Sequence, residues 1–374
     1  MKKKILIIII LLAFININAQ ISVSAGNTGK IEKFKPEVLK KFKSTTTIFI
    51  LSDVFNKEQY DEILKKSWTV TPYLIISSDD FDYQKYLNGK FSFAVLSAYT
   101  VNKKTTFYLH SSINLFVFDM EVIDKEIVKV KTNAKDKNRD EKVNDLLAKN
   151  IINIAKIELF SNTDMLKLAD KDYKSHRSMM TSDWSNPNSI FFRNVTTFNI
   201  AKNKNSLNEY EKTIMNFTFK QKTFKNYSLG MLKNYFQKLN DLLTKEENYW
   251  MYETDYTKEV KNLRTKILYI PDYNKVKYKP GKIEDENRSD KDLKELFEDF
   301  NYKYEFITEN DLNTKILNSE EIYYLRYVKV NNQKIINIVN SKTGEVIYRD
   351  YEAGFGTYNI DGKDFKKLAK IIND

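Results

Sequence analysis

Apolar residues follow two rhythms along this chain, one of period 3.6 and one of period 2, and the same succession of rhythms occurs twice. From Glu37, "EVLKKFKSTTTIFILS" sets a short periodic stretch before a β-branched run, and from Glu259 "EVKNLRTKILYIP" does the same. A helix is predicted next in each, over "NKEQYDEILKKSW" and "DKDLKELFEDF". Tyr60, Ile63 and Leu64 in the first, and Leu293, Leu296 and Phe297 in the second, fall at i, i+3 and i+4 and form one apolar face. A second strand follows, "TPYLIIS" against "YKYEFIT", then a short helix, "DDFDYQKYL" against "NDLNTKIL".

Long alternating sections come after these helices. "FSFAVLSAYTVNKKTTFYLHSSINLFVFD" and "IYYLRYVKVNNQKIINIVNSKTGEVIYRDY" each read as two strands, with "NKK" and "NNQ" as polar turns. Each unit is expected to end in a helix, over residues 139–160 and over "DGKDFKKLAKIIN", where Asp361 is the N-cap.

The two passages align at a constant spacing. Tyr73 and Tyr304, Ile76 and Ile307, Asp80 and Asp311, and Phe91 and Ile322 are all 231 positions apart, while the first strands, as Ile50 and Ile270, are about 220 apart. The extra residues of the second copy lie in "DYNKVKYKPGKIEDENRS". The expected fold class is α+β: two pseudo-repeated β-α-β-α-β-β-α units, each a small mixed sheet covered by helices. Residues 20–160 and 259–374 form the units, and residues 161–258 join them. In that middle segment "DKDYKSHRSMMTSDWSNPNS" reads as a loop, "IFFRNVTTFNI" and "TIMNFTFKQKTF" as strands, and "LGMLKNYFQKLNDLL" as an amphipathic helix.

Residues 1–19 stand apart. Lys2, Lys3 and Lys4 precede an apolar run from Ile5 to Ile15, and a polar stretch ends in the small residue Ala19. The run is too short to cross a hydrocarbon core of ~30 Å at 1.5 Å per residue. The pattern is that of a secretory signal cut between Ala19 and Gln20, giving an exported chain in the periplasm or secreted beyond it. No other stretch approaches the length of a membrane span.

Composition removes several chemistries. There is no cysteine, hence no disulfide, thiolate metal site or cysteine nucleophile. The formal charge is +11, and three of those charges are the leader's lysines, which leaves +8. Only seven of the 61 basic residues are arginine, the side chain suited to phosphate and base recognition, and lysines alternate with acids as on a solvated surface. Nucleic acid is therefore not an expected partner. Nine glycines form no phosphate-binding loop, and no nucleophile elbow is present. His110 and His176 are distant from each other and without cysteine, so neither a metal nor another cofactor is expected.

Three places carry polar or aromatic features of interest. "SSDD" (Ser77 to Asp80) gathers hydroxyls and acids at a strand end, but "TEND" (Thr308 to Asp311) keeps only the hydroxyl-x-x-acid spacing. That spacing satisfies free N–H groups at a helix start, so Asp79 and Asp80 read as helix-starting residues. Arg326 shares strand parity with Tyr324, and Glu305 in the preceding strand is its expected counter-charge, making Arg326, Glu305 and Tyr324 the candidate binding residues. Aromatic rings crowd Tyr249, Trp250, Tyr252 and Tyr256, and again Tyr323, Tyr324 and Tyr327; exposed, they would stack on sugars or dock a partner.

The runs "LGMLKNYFQKLNDLL…LRTKILYIPDY" and "TTTIFILSD…WTVTPYLIISSDDF", with the leader ending "NINAQ", resemble a family of exported Bacteroidota proteins with no established activity. In element order alone each copy is similar to small envelope domains such as the N-terminal domain of TolB and the periplasmic part of curli-type secretion lipoproteins, a likeness that implies little about function. The expected function is a non-catalytic binding or assembly module of the cell envelope, its partner an envelope protein or a second copy. The alternative is a secreted hydrolase that uses paired carboxylates on a glycan.

Overall fold

The computed structural model describes residues 20–26, 30–81, 83–103, 106–132, 139–176, 209–330, 332–354, 356 and 358–374. The leader, residues 1–19, and the run "IFFRNVTTFNI" lie outside the described residues, as do residues 177–189 of the expected loop.

The first unit runs β1 (Ile21–Val23), α1 (Pro36–Lys43), β2 (Thr46–Ile50), α2 (Lys57–Ser67), β3 (Tyr73–Ile75), α3 (Tyr83–Tyr86), β4 (Phe91–Lys103), β5 (Thr106–Phe118), α4 (Met120–Thr132), α5 (Arg139–Lys149) and β6 (Ile151–Glu158). After it come α6 (Thr163–His176), α7 (Glu209–Phe219) and α8 (Leu229–Lys245). The second unit has β7 (Asp255–Tyr256), a 3-10 helix (Lys258–Arg264), β8 (Leu268–Pro271), a 3-10 turn (Asp272–Lys275), the hairpin β9 (Val276–Lys279) and β10 (Glu284–Asn287), and α9 (Asp290–Leu296). It continues with β11 (Tyr304–Ile307), α10 (Glu309–Leu317), β12 (Tyr323–Val330), β13 (Gln333–Asn340), β14 (Val346–Ala353) and α11 (Gly362–Asn373).

The protein is α+β, with two six-stranded mixed sheets flanked by helices. Their strand orders are β1-β6-β5-β4-β2-β3 and β7-β14-β13-β12-β8-β11, the same order once the copies are matched. In both, two pairs are parallel (β2 with β3 and β4; β8 with β11 and β12) and the rest antiparallel. Registers repeat as well: Thr47 is opposite both Tyr73 and Ser92, and Leu268 opposite both Tyr304 and Tyr323. The spacing of 231 seen in sequence is therefore a spacing in register.

Local signals set the helix starts. Asn56 caps α2, its side chain accepting from Gln59 N while Gln59 accepts from Asn56 N, and Ser289 with Asp292 makes the same box at α9. Tyr60, Ile63 and Leu64 are buried, and Asp361 caps α11.

Each sheet is larger than the sequence pattern indicates. The expected helix over 139–160 stops at Lys149 and Ile151–Glu158 continues as β6, because "IINIAKI" is β-branched and can pair on both sides, with β1 and β5. "IYYLRYVKVNNQKIINIVNSKTGEVIYRDY" holds three strands, since Gly344 takes φ +75° and turns the chain between β13 and β14. "TIMNFTF" is helical, in α7: Ile214 and Thr218 at i, i+4 are both fully buried, and a seven-residue window fits either period. The first seven residues of "DKDYKSHRSMMTSDWSNPNS" belong to helix α6.

Helix α8 binds the units together. Ser228 caps it, and twelve of its seventeen positions are buried. Phe236 packs edge-on against Phe49 (5.4 Å) and Trp68 (6.5 Å) of the first unit. On the other side Asn234 donates to Ser341 O (2.7 Å) and accepts from the Tyr324 hydroxyl (3.1 Å), while Gly230 N donates to Asn313 (2.8 Å). Gly230 is required there: a Cβ would stand 2.9 Å from Ile316 Cβ on α10. Truncating Phe236 to alanine costs about 3–5 kcal/mol by lost burial and cavity formation.

Candidate functional site

Parallel pairing brings the carboxyl ends of β2 and β3 to one rim, where α2 also begins, and such rims are where open α/β sheets hold ligands. A cleft of about 380 Å³ opens there in the first unit. Leu51, Ile75 and Ile76 line its apolar part, Phe55, Tyr60 and Tyr86 supply rings, and Asp53, Lys57, Ser77 and Asp80 supply polar groups. That mixture of apolar lining and a few placed polar groups is what small-ligand and side-chain pockets require.

The middle segment completes this rim. Asp53 N donates to Phe219 O (2.7 Å) and Ser52 Oγ to the same carbonyl (2.9 Å), so the end of α7 is laced onto the end of β2. The Tyr227 hydroxyl accepts from Ser52 N (3.1 Å) and lies 3.0 Å from the Tyr60 hydroxyl, which donates to Ser52 O (2.5 Å). Burial, reinforced by the neighbouring Tyr227, pushes the Tyr60 phenol well above its ordinary range. Phe55 stacks on Tyr227 at 6.2 Å, which fixes one wall.

Lys220, just past α7, joins the two acidic arms of the cleft. Its ammonium contacts Asp53 and lies 2.6 Å from Asp79. Burial works against the charge, yet hydrogen bonds to Asp53 and Asp79 outweigh it and raise the ammonium's pKa. Asp80 is engaged too, accepting from Ser77 Oγ at 2.6 Å. The carboxylates of the cleft thus serve as structural and electrostatic anchors, each already carrying a hydrogen bond. Among the described residues, no group of three or more His, Cys, Asp or Glu side chains is placed to hold a metal ion.

The hydroxyl-x-x-acid spacing does what capping chemistry dictates in both copies, with different results. Asp311 N donates to Thr308 Oγ1 (3.1 Å) and Thr308 caps α10. Asp80 N donates to Ser77 Oγ at the same 3.1 Å, but there it closes a turn, and helix α3 begins only at Tyr83. The turn keeps Ser77 and Asp80 on the cleft wall. The corresponding strand end of the second unit is filled by its own 3-10 turn, where Asn274 is buried and Tyr273 packs edge-on against Phe160 at 6.0 Å.

The candidate binding residues are brought together only in part. Arg326 is fully buried, its guanidinium carbon 4.0 Å from the Tyr235 ring centroid, and Tyr324 is buried on the same face of β12. Glu305 is exposed on edge strand β11, and the whole of β8 lies between β11 and β12, so the expected Arg326–Glu305 pair does not form. Consecutive strands in sequence were expected to be neighbours, and a parallel crossover separates them instead. Of the aromatic clusters, Tyr249, Trp250, Tyr323, Tyr324 and Tyr327 are buried core residues, and Tyr256 is exposed. His110 Nδ1 lies 3.2 Å from Glu158 Oε1, a buried carboxylate that also faces Lys156 at 2.6 Å; His176 ends α6.

Sequence reasoning missed Asp53, Phe55, Tyr60, Lys220 and Tyr227 as parts of one site. The usable signal was position: Asp53 follows a parallel strand by three residues, where chain ends gather. Compared with protein-family models, with curated proteins and with solved structures, the chain matches none.

Proposed function

We propose that the protein is an exported, non-catalytic binding module of a bacterial cell envelope of the Bacteroidota type, and that its cleft and the adjoining edge of β3 receive an extended segment of an envelope protein. The observation that carries this reading is the juxtaposition of the cleft with an open strand edge. Among the described residues strand β3 pairs only with β2, and Leu74 on it is 44% exposed. Ile75, at the end of the same strand, already lines the cleft. A peptide laid along β3 gains main-chain hydrogen bonds from the edge and places a side chain among Leu51, Phe55 and Ile76, the division of labour of strand addition. Export rests on the leader pattern, and β1 starts one residue past the expected cut.

The rival is a glycan hydrolase with Asp53 and Asp80 as its acids, since both line the cleft. The engagement of Asp53 by Lys220 and of Asp80 by Ser77 favours anchoring over proton transfer.

Affinity capture of the exported protein from envelope extract, compared with Leu74→Lys, tests the proposal. A lysine on the edge opposes strand pairing and leaves the fold intact. Recovery of one envelope protein by the parent and about tenfold less by the variant is expected. Equal recovery by both, or cleavage of a glycan by the pure protein with no partner recovered, overturns it.

A further inference from the structure

The face of the second sheet that meets α8 carries an unusual row. Arg326, Asn337 and Arg349 are direct cross-strand partners on β12, β13 and β14, and all three are at most 1% exposed. Arg349 is provided for: it donates to Trp250 O (2.5 Å) and pairs with Glu253 (2.9 Å). Arg326 is not. Among the described residues its three guanidinium nitrogens have no hydrogen bond of good geometry, apart from a weak contact with the uncharged Tyr324 phenol, and no carboxylate lies within ion-pair distance. Both polar atoms of the Asn337 side chain, Arg349 Nε and the Tyr249 hydroxyl are likewise buried without a partner.

A guanidinium cannot relieve this by losing its proton, as a buried lysine would. The stacked Tyr235 ring returns only part of the lost hydration. Nor do the surrounding phenols supply negative charge. Burial raises the pKa of Tyr235 and Tyr324 against the pull of Arg326, of Tyr249 against the pull chiefly of Arg349, and of Tyr273 against a hydrogen bond from Tyr327 N, so all four stay protonated. What remains is the Arg326 charge, without a counter-ion among the described residues and beside further N–H and O–H donors, in a buried interface between the two units. A buried cation of this kind is stable when paired and very unfavourable when alone.

We infer that Arg326 and Asn337 hold a small inorganic monovalent anion, of the size and charge of chloride, between the second sheet and α8. The donor set fits such an ion: the Arg326 guanidinium and the Asn337 amide are opposed across β12 and β13, and neither pairs with a carboxylate of the described residues. The ion would neutralise Arg326 and tie β12 and β13 to the helix that joins the units. This site is distinct from the cleft at β2 and β3 and does not depend on its role.

The test uses the purified protein with chloride or gluconate at equal ionic strength, gluconate being too large for a closed interior site. Tm is expected to be several degrees higher in chloride and to rise with log chloride concentration. Diffraction from crystals soaked in bromide should show an anomalous peak within hydrogen-bond reach of Arg326 and Asn337. Arg326→Met should abolish both effects; should that variant not fold, the bromide experiment on the parent decides alone. Equal Tm in the two salts with no peak at Arg326, meaning that water alone solvates it, overturns the inference. A chloride effect that Arg326→Met retains in full overturns it as well.

Discussion

Ser77 and Thr308 hold the same position in the two units and make the same bonds: each hydroxyl accepts from the backbone N–H three residues on and donates to that residue's carboxylate, at 2.6 Å to Asp80 and 2.7 Å to Asp311. Only Thr308 stands at the head of a helix. Thr308→Ala should therefore lose about 1 kcal/mol of stability, as N-cap removal does. Ser77→Ala should lose clearly less and instead weaken binding at the cleft. Urea unfolding of both variants measures the difference; equal losses would contradict this division.

Gly230 and Ile316 set the distance between α8 and the second unit. Gly230→Ala should cost roughly 1–3 kcal/mol, because the new Cβ meets Ile316 Cβ at 2.9 Å in a packed interface. Adding Ile316→Ala should recover part of that loss although it removes buried surface by itself. Strict additivity of the two substitutions would show that the close approach is not the cause.

Stability should rise as pH falls from above 6 towards 4, through Asp364. This carboxyl is buried and faces Lys334 at 2.7 Å, and Lys334 also faces Glu352 at 2.9 Å, which keeps the lysine charged. Burial, the largest influence, lifts Asp364 from 3.8 to about 6 against the opposing pull of Lys334. With its folded pKa above the unfolded value, the group's stabilisation is complete below about 4 and is lost as pH rises through 6, about 2–3 kcal/mol in all. Asp364→Asn should flatten this part of the stability profile. An unchanged slope between pH 4 and 6 in the variant would assign the effect elsewhere.

Expression with the leader in a Gram-negative host should yield an exported form beginning at Gln20, read by intact mass. Gln20 is fully buried and its Oε1 accepts from the Tyr235 hydroxyl at 2.8 Å, so the residue after the expected cut is held in the fold. Persistence of residues 1–19 on the exported protein would show that they act as an anchor.

Much of the architecture was legible because it is local. The periods of Tyr60, Ile63 and Leu64, the hairpin turns, and the caps at Thr308 and Asp361 each involve a few neighbouring residues, and the repeat is a comparison of such patterns. Short windows were less secure. "TIMNFTF" satisfies both periods, and its burial in α7 depends on what packs over Ile214 and Thr218.

The sequence by itself determined that two similar α/β units follow one another and that Ser77 and Thr308 share the hydroxyl-x-x-acid spacing. Only the tertiary structure decided what lies beside what. It set β8 between Glu305 and Arg326, left Arg326 buried without a counter-charge among the described residues, and brought Lys220 across to Asp53 and Asp79 to complete the cleft of the first unit. The reason is physical: capping and periodicity are settled within a few residues, whereas strand order and charge pairing depend on which distant segments share one core.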